Sequence, residues 1–218
     1  DGVRYTRCTA QSVPEPTALN SRFRIRSPIP LQEHFLSGQL RLPFFFLEAI
    51  RMSLAPNLVE RLLRARRFWL MKSEPGECSI DDALSTPNQT VSWFGIRNYQ
   101  ARNFIRDDMA VGDAVLFYHS SCAEPGIVGV AEIASAPYPD ELQFDPESDY
   151  FDPKSPKDNP RWLTIDVKAL AKCPVIPIKT LRNDPALANL RILQRGNRLS
   201  ITPVERDDFA HILKTLFH

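Results

Sequence analysis

The stretch AVLFYHSSCAEPGIVGVAEIAS, residues 114–135, decides how the chain folds. Alternation in AVLFYHS puts Val115, Phe117 and His119 on one face of a strand and Leu116, Tyr118 and Ser120 on the other. GIVGVAEIAS is a second apolar run, entered through Pro125-Gly126. The polar loop SCAEPG lies between them. Two such runs joined by a short glycine-containing loop read as a β-hairpin.

The neighbouring segments extend this reading. FWLMK, residues 68–72, reads as a buried strand and SEPGE as the turn after it. Ser79 with Asp82 three residues later approximates a capping box that opens SIDDAL. Asn98 is placed to cap YQARNFIRDDM, with Ala101, Ile105 and Met109 facing inward. VGD at 111–113 is a turn. Residues 137–160 form a long loop rich in Pro, Asp and Ser, and loops of that length are usually functional or mobile.

WLTIDVKAL reads as a strand with Leu163, Ile165 and Val167 on one side. IKTLRNDPALANL predicts short helical turns. RLSITPV predicts a strand leading into a last helix, in which Thr202, Pro203 and Glu205 are expected to act as cap, N1 and N3. Phe209, Ile212, Leu213 and Leu216 form that helix's buried stripe. Strands and short helices alternate without βαβ regularity, which predicts an α+β domain built on a small, mostly antiparallel barrel or sheet.

Of the 218 residues, 43% are apolar, enough for a packed core. The net charge of +1 hides an asymmetry. Residues 1–67 carry eleven arginines, no lysine and five acids, a net +6, which leaves about −5 on residues 68–218. Prolines interrupt this first segment, and it shows no clear period. It reads as a disordered basic arm touching phosphates, as an Arg-rich organellar targeting segment, or as upstream sequence ahead of a start at Met52. Within it SLAPNLVERLLRARRF predicts a short helix from Pro56. The domain proper is expected over residues 67–218, with 1–66 as a disordered or non-native extension.

No run of eighteen apolar residues is present, so no transmembrane helix is expected. The densest run, LPFFFLEAI at 42–50, is too short and lacks a small-residue cleavage site. Cys8, Cys78, Cys122 and Cys173 are scattered without a CxxC pair, which reads as reduced thiols and no structural zinc. His34, His119, His211 and His218 do not pair at ligand spacing. Phosphate loop, GxSxG and dinucleotide fingerprint are all missing. No metal, cofactor or catalytic residue is therefore expected.

What remains is a set of polar and aromatic residues at element ends: KSEP at 72–75, WFGIRN at 93–98, YHS at 118–120 and NRLS at 197–200. Each has a bland reading: Trp69 and Trp93 as core, Arg97 as an ion-pair partner, His119 as a structural histidine, Gly95 as a turn residue. Together they make a tool kit for holding an extruded base. A flat ring gives a stacking surface. Glycine allows close backbone approach, and Ser, Asn and His supply hydrogen bonds to a base edge.

These motifs also carry a resemblance. WLMKSEP, WFGIRNYQARN, the GD and FYHS of residues 112–120, PGIVGVAE, YPD, DYFDPKS, the RW at 161–162 and RLSITPV resemble the EVE domain of the PUA-like superfamily, over about residues 67–217. The resemblance implies a small mixed β-barrel wrapped by short helices. It also implies recognition of a modified base, methylated or hydroxymethylated, in DNA or RNA. Carried over by motif, the binding residues are Lys72 and Ser73, then Trp93, Gly95, Arg97 and Asn98, then Tyr118, His119 and Ser120, and finally Arg198, Leu199 and Ser200. Trp93 would stack on or wall the base, and Arg97 and Arg198 would meet the nucleic-acid backbone.

The expected protein is a non-catalytic, monomeric reader, cytoplasmic if bacterial and nuclear or organellar if eukaryotic. The rival is a hydrolase acting on a modified nucleoside through Lys72 and Glu74, as in ASCH-type relatives. A protein-interaction module with a vestigial pocket is the third possibility.

Overall fold

A computed structural model describes residues 55–217. The expectations for the segment before residue 55, Cys8, His34 and Met52 included, lie outside the described residues, as does His218. The first element, α1 (Pro56–Leu63), starts with proline at its first turn and buries Leu62 in the core. The arginines after it are pinned to the domain. Arg67 pairs with Asp108 at 2.6 Å, and Arg66 reaches the buried carboxylate of Asp113 at 3.4 Å. The packed chain therefore begins upstream of residue 67.

The elements that follow are β1 (Phe68–Ser73), α2 (Ile80–Ser85), β2 (Thr90–Ser92), α3 (Tyr99–Asn103), β3 (Ala114–His119), β4 (Gly126–Ile133), β5 (Tyr138–Pro139), β6 (Leu163–Thr164), β7 (Asp166–Pro177), α4 (Ile178–Asn183), β8 (Ile201–Val204) and α5 (Arg206–His211). One six-stranded sheet runs β2-β7-β4-β3-β1-β8, and β5 pairs with β6 separately. The expected hairpin is β3 and β4, antiparallel, with a register shift between Phe117 and Tyr118. β1 lies parallel to β3 and antiparallel to β8. The fold is α+β, as expected.

Strand alternation divides the apolar residues between two cores. Phe68, Leu70, Leu116 and Tyr118 pack with Leu62 of α1, Leu181 of α4 and Phe209 of α5. Trp69, Met71, Val115 and Phe117 pack with Ile80, Trp93, Ala101 and Ile105. Both faces of β1 and β3 are thus covered, which is why FWLM, residues 68–71, is a continuous apolar run.

Three expectations need correction. The sheet is not closed into a barrel. Its two end strands, β2 and β8, each pair along one edge only, with β7 and β1, and not with each other. WLTIDVKAL is not one strand. The chain changes sheet at Ile165, whose carbonyl accepts the Trp93 N–H at 2.8 Å, and β7 then runs on to Pro177. Thr202 and Pro203 do not cap the last helix. Both lie in β8, where Pro203 stands opposite Trp69, and the cap is Glu205 without a side-chain bond. Proline is tolerated there because β8 ends the sheet and needs donors on one edge only.

Candidate functional site at the carboxyl ends of two parallel strands

Parallel pairing of β1 and β3 brings their carboxyl ends to one place. Lys72 stands beside Tyr118, and Ser73 beside His119. One residue on, the Ser120 N–H donates to the Ser73 carbonyl at 2.8 Å, and the Ser120 hydroxyl donates to the same oxygen at 3.3 Å. The Lys72 N–H donates to the Ser200 carbonyl at 2.8 Å. KSEP, YHS and NRLS, separated by up to 128 positions in sequence, therefore meet. Leu199 is half-buried, its N–H donating to Asn197 Oδ1 at 3.0 Å, and Arg198 is exposed.

The side chains divide by face. The Ser73 hydroxyl donates to the Cys78 carbonyl at 2.6 Å and so fixes the turn before α2. His119 Nε2 accepts the Ile80 N–H at 3.1 Å, which requires the neutral ring. Burial lowers the pKa of His119 and reinforces that form. His119 also meets Phe117 edge-on at 5.8 Å, and Phe117 meets Trp93 edge-on at 5.2 Å. Tyr118 points into the opposite core. Lys72 is 8% exposed, and its burial pushes the ammonium pKa down.

Trp93 is not an open wall. It is completely buried, and its Nε1 has no hydrogen-bond partner among the described residues. A base cannot stack on a ring enclosed in this way; Trp93 packs edge-on against Phe117 in the core.

Gly95 and Arg97 are tied to the long loop. Gly95 has φ +80°, and a Cβ there would lie 2.8 Å from the Tyr150 ring. Its N–H donates to Asp140 Oδ2 at 3.0 Å. Arg97 donates from Nη1 to the same oxygen at 2.7 Å, and from Nε and Nη2 to the Tyr150 carbonyl at 2.8 and 2.6 Å. Its guanidinium lies over the Tyr150 and Trp162 rings. This is the internal ion pair, not the contact to a nucleic-acid backbone expected for Arg97, because its donors point inward. Asn98 is a helix cap, its Oδ1 accepting the N–H groups of Gln100 and Ala101.

The residues missed from sequence are Asp140 and Tyr150. Asp140 is 1% exposed and accepts from Gly95, Arg97 and the Leu142 N–H. Both belong to quoted motifs, YPD and DYFDPKS, but nothing in either motif says which distant arginine they meet. Among the described residues no cluster of His, Cys, Asp or Glu is arranged to hold a metal, and no helix is long and apolar enough to cross a membrane.

Comparison with known proteins gives one consistent result. The EVE domain matches residues 67–215. Thymocyte nuclear protein 1 of Gallus gallus is 40% identical over 163 residues, covering 66% of this chain and 66% of the relative, so the match leaves about a third of that protein unaligned. The Homo sapiens protein is 39% identical, over 66% of this chain and 72% of its own. A crystal structure of a Pseudomonas putida protein superimposes with TM-score 0.62 at 44% identity, covering 67% of this chain and 97% of that one. The structure of human THYN1 protein in complex with 5-methylcytosine-containing DNA gives TM-score 0.63 at 39% identity, covering 67% and 95%.

Proposed function

The chain belongs to the EVE domain family, and on that premise we propose that it reads a modified base, 5-methylcytosine first, in DNA. The observation that carries this reading is the meeting of Lys72, Ser73, His119, Ser120 and Ser200 at the carboxyl ends of β1 and β3. Hydroxyl and backbone groups, the kinds of group that read a base edge, converge there at the ends of two strands. The complex of human THYN1 protein with 5-methylcytosine-containing DNA supports the same assignment for this chain.

Residues 68–218 carry a net charge of about −5. Nonspecific binders of nucleic acid are usually basic, so affinity here comes from the base site and binding to unmodified DNA is weak. The relatives' name, thymocyte nuclear protein 1, favours the nucleus. The hydrolase reading gains nothing: β1 ends at Ser73, so Glu74 does not continue the strand face of Lys72.

The test is binding of duplexes that differ in one base: cytosine, 5-methylcytosine, 5-hydroxymethylcytosine, and adenine against N6-methyladenine. Preference for one modified duplex, weakened in Ser120→Ala and Ser200→Ala, supports the reading. Equal affinity for all sinks it. Trp93→Ala is a poor probe, because emptying a fully buried ring site costs about 3–5 kcal/mol of stability.

A further inference from the structure

Two aromatic side chains are exposed among the described residues, Tyr99 and Phe151, and Tyr99 is the more open at 55%. It follows the Asn98 cap at the start of α3. The core is served there by Ala101 and Ile105 instead. The Tyr99 ring lies against Trp162, with centroids 5.0 Å apart and planes tilted by 35°. The Arg102 guanidinium stands over the same ring, 5.1 Å from its centre. Asn103 Oδ1 and the Arg161 carbonyl, both neutral acceptors, hold that guanidinium in place. A cation over a ring is attracted by its quadrupole, so Tyr99 is steadied by its neighbours while it faces water.

One role for Tyr99 is to cover Trp162, which is 5% exposed. Cover needs only apolar area, which is non-directional, and a leucine would supply it. A ring left half in water offers something leucine does not, a plane on which a base can stack. The guanidinium above it is also flat, and bases stack on arginine planes as well. Trp93 is enclosed in the core; Tyr99 is not.

Printed contacts join this ring to the site at the end of β1. Trp162 lies beneath the Arg97 guanidinium at 5.6 Å, and the same guanidinium lies over Tyr150 at 5.4 Å. The Tyr150 hydroxyl donates to Glu77 Oε1 at 3.4 Å. The Glu77 N–H donates to the Glu74 carbonyl at 2.9 Å, in the turn that follows Ser73. Tyr99 therefore stands at the outer end of one packed row of side chains whose inner end borders the base-reading groups.

We infer that Tyr99 stacks on a second base, one uncovered when the modified base leaves the duplex. The inference rests on the base-reading assignment above and deepens it: the protein holds opened DNA by two bases rather than one. An extruded base leaves an unpaired partner and neighbours with uncovered faces. Such a face loses stacking in water and regains it on an aromatic ring.

The experiment uses the full chain and a duplex with one 5-methylcytosine. The nearest neighbours of that base on its own strand, and the nucleotide opposite it, are replaced one at a time by an abasic residue. Wild type, Tyr99→Ala, Tyr99→Leu and Tyr99→Phe are titrated against each duplex and against the unmodified one. With wild type, one of these replacements is expected to weaken binding by about tenfold, the loss of one base–aromatic stack. Tyr99→Ala and Tyr99→Leu are expected to lose the same factor on the intact duplex and to be indifferent to that replacement. Tyr99→Phe keeps the plane and behaves as wild type.

Preference for 5-methylcytosine over cytosine persists in every variant, because the base-reading groups are untouched. A Tyr99→Leu that binds like wild type shows a side chain that only covers Trp162, and overturns the stacking alone. A wild type indifferent to every abasic replacement does the same. Binding lost in Tyr99→Leu together with a melting temperature well below that of Tyr99→Phe is a loss of cover, and overturns it likewise. A wild type that binds the cytosine and 5-methylcytosine duplexes equally overturns the base-reading assignment and this inference with it.

Discussion

Nη1 of Arg97 lies 2.7 Å from Oδ2 of Asp140, an oxygen that also accepts the Gly95 N–H at 3.0 Å. One buried carboxylate thus fastens the long loop over residues 137–160 to the WFGIRN segment. Asp140→Ala would leave a guanidinium only 20% exposed without its counter-charge. Removing one partner of a buried pair costs about 3–5 kcal/mol. Urea denaturation is expected to show a loss near the lower end of that range, with Asp140→Asn, which keeps an acceptor, losing less.

Gly95→Ala introduces a side chain at φ +80° and sets its Cβ 2.8 Å from a Tyr150 ring carbon. The backbone conformation alone costs about 1–2 kcal/mol. The ring must also move, and its main-chain carbonyl holds Arg97. The expected result is a drop in melting temperature together with weaker DNA binding, because the loop and the WFGIRN segment shift as one unit.

His119 makes stability fall on acidification. An unfolded histidine titrates near pH 6.5, and folding lowers the pKa of His119, first through burial. The unfolded chain therefore binds the proton more readily. Stability is highest above about pH 6.5, falls as pH drops through that value, and levels off below the folded pKa. Protonation also breaks the bond from the Ile80 N–H. In His119→Gln, chemical denaturation between about pH 7 and pH 5 is expected to lose this slope.

The cysteines give an independent check on packing. Burial pushes the Cys173 thiol up to about 12, whereas Cys122 lies in the β3–β4 loop, partly exposed. Reactivity follows the thiolate. Native protein treated with iodoacetamide at pH 8 is expected to carry the label on the Cys122 peptide and not on the Cys173 peptide. Labelling of Cys173 at a similar rate would contradict the core described around β7.

Local signals were the ones legible in sequence. The Ser79–Asp82 box and the Asn98 cap form as expected because capping depends on residues two or three apart. The β3–β4 hairpin and the inward set Ala101, Ile105 and Met109 follow from periodicity alone. The failures are non-local. Thr202-Pro203 matches a helix start, yet pairing with β1 turns it into an edge strand. Trp93 taken alone reads as core and taken with its neighbours as a wall, and burial and packing against Phe117 decide for core. The pairing of Arg97 with Asp140 spans 43 positions, and no local pattern encodes it. Lys72 was singled out by resemblance, but that its ammonium has no partner among the described residues becomes visible only when the surrounding residues are in place.

We propose the carboxyl ends of β1 and β3 as the site for a methylated base. The most direct measurement is a paired titration of the full chain against two duplexes of identical sequence at the same salt, one with cytosine and one with 5-methylcytosine at a single position. The predicted result is tighter binding to the methylated duplex by about tenfold, or about 1.4 kcal/mol, reduced in Ser120→Ala. Equal affinity for the two duplexes, or binding to neither, would contradict the claim.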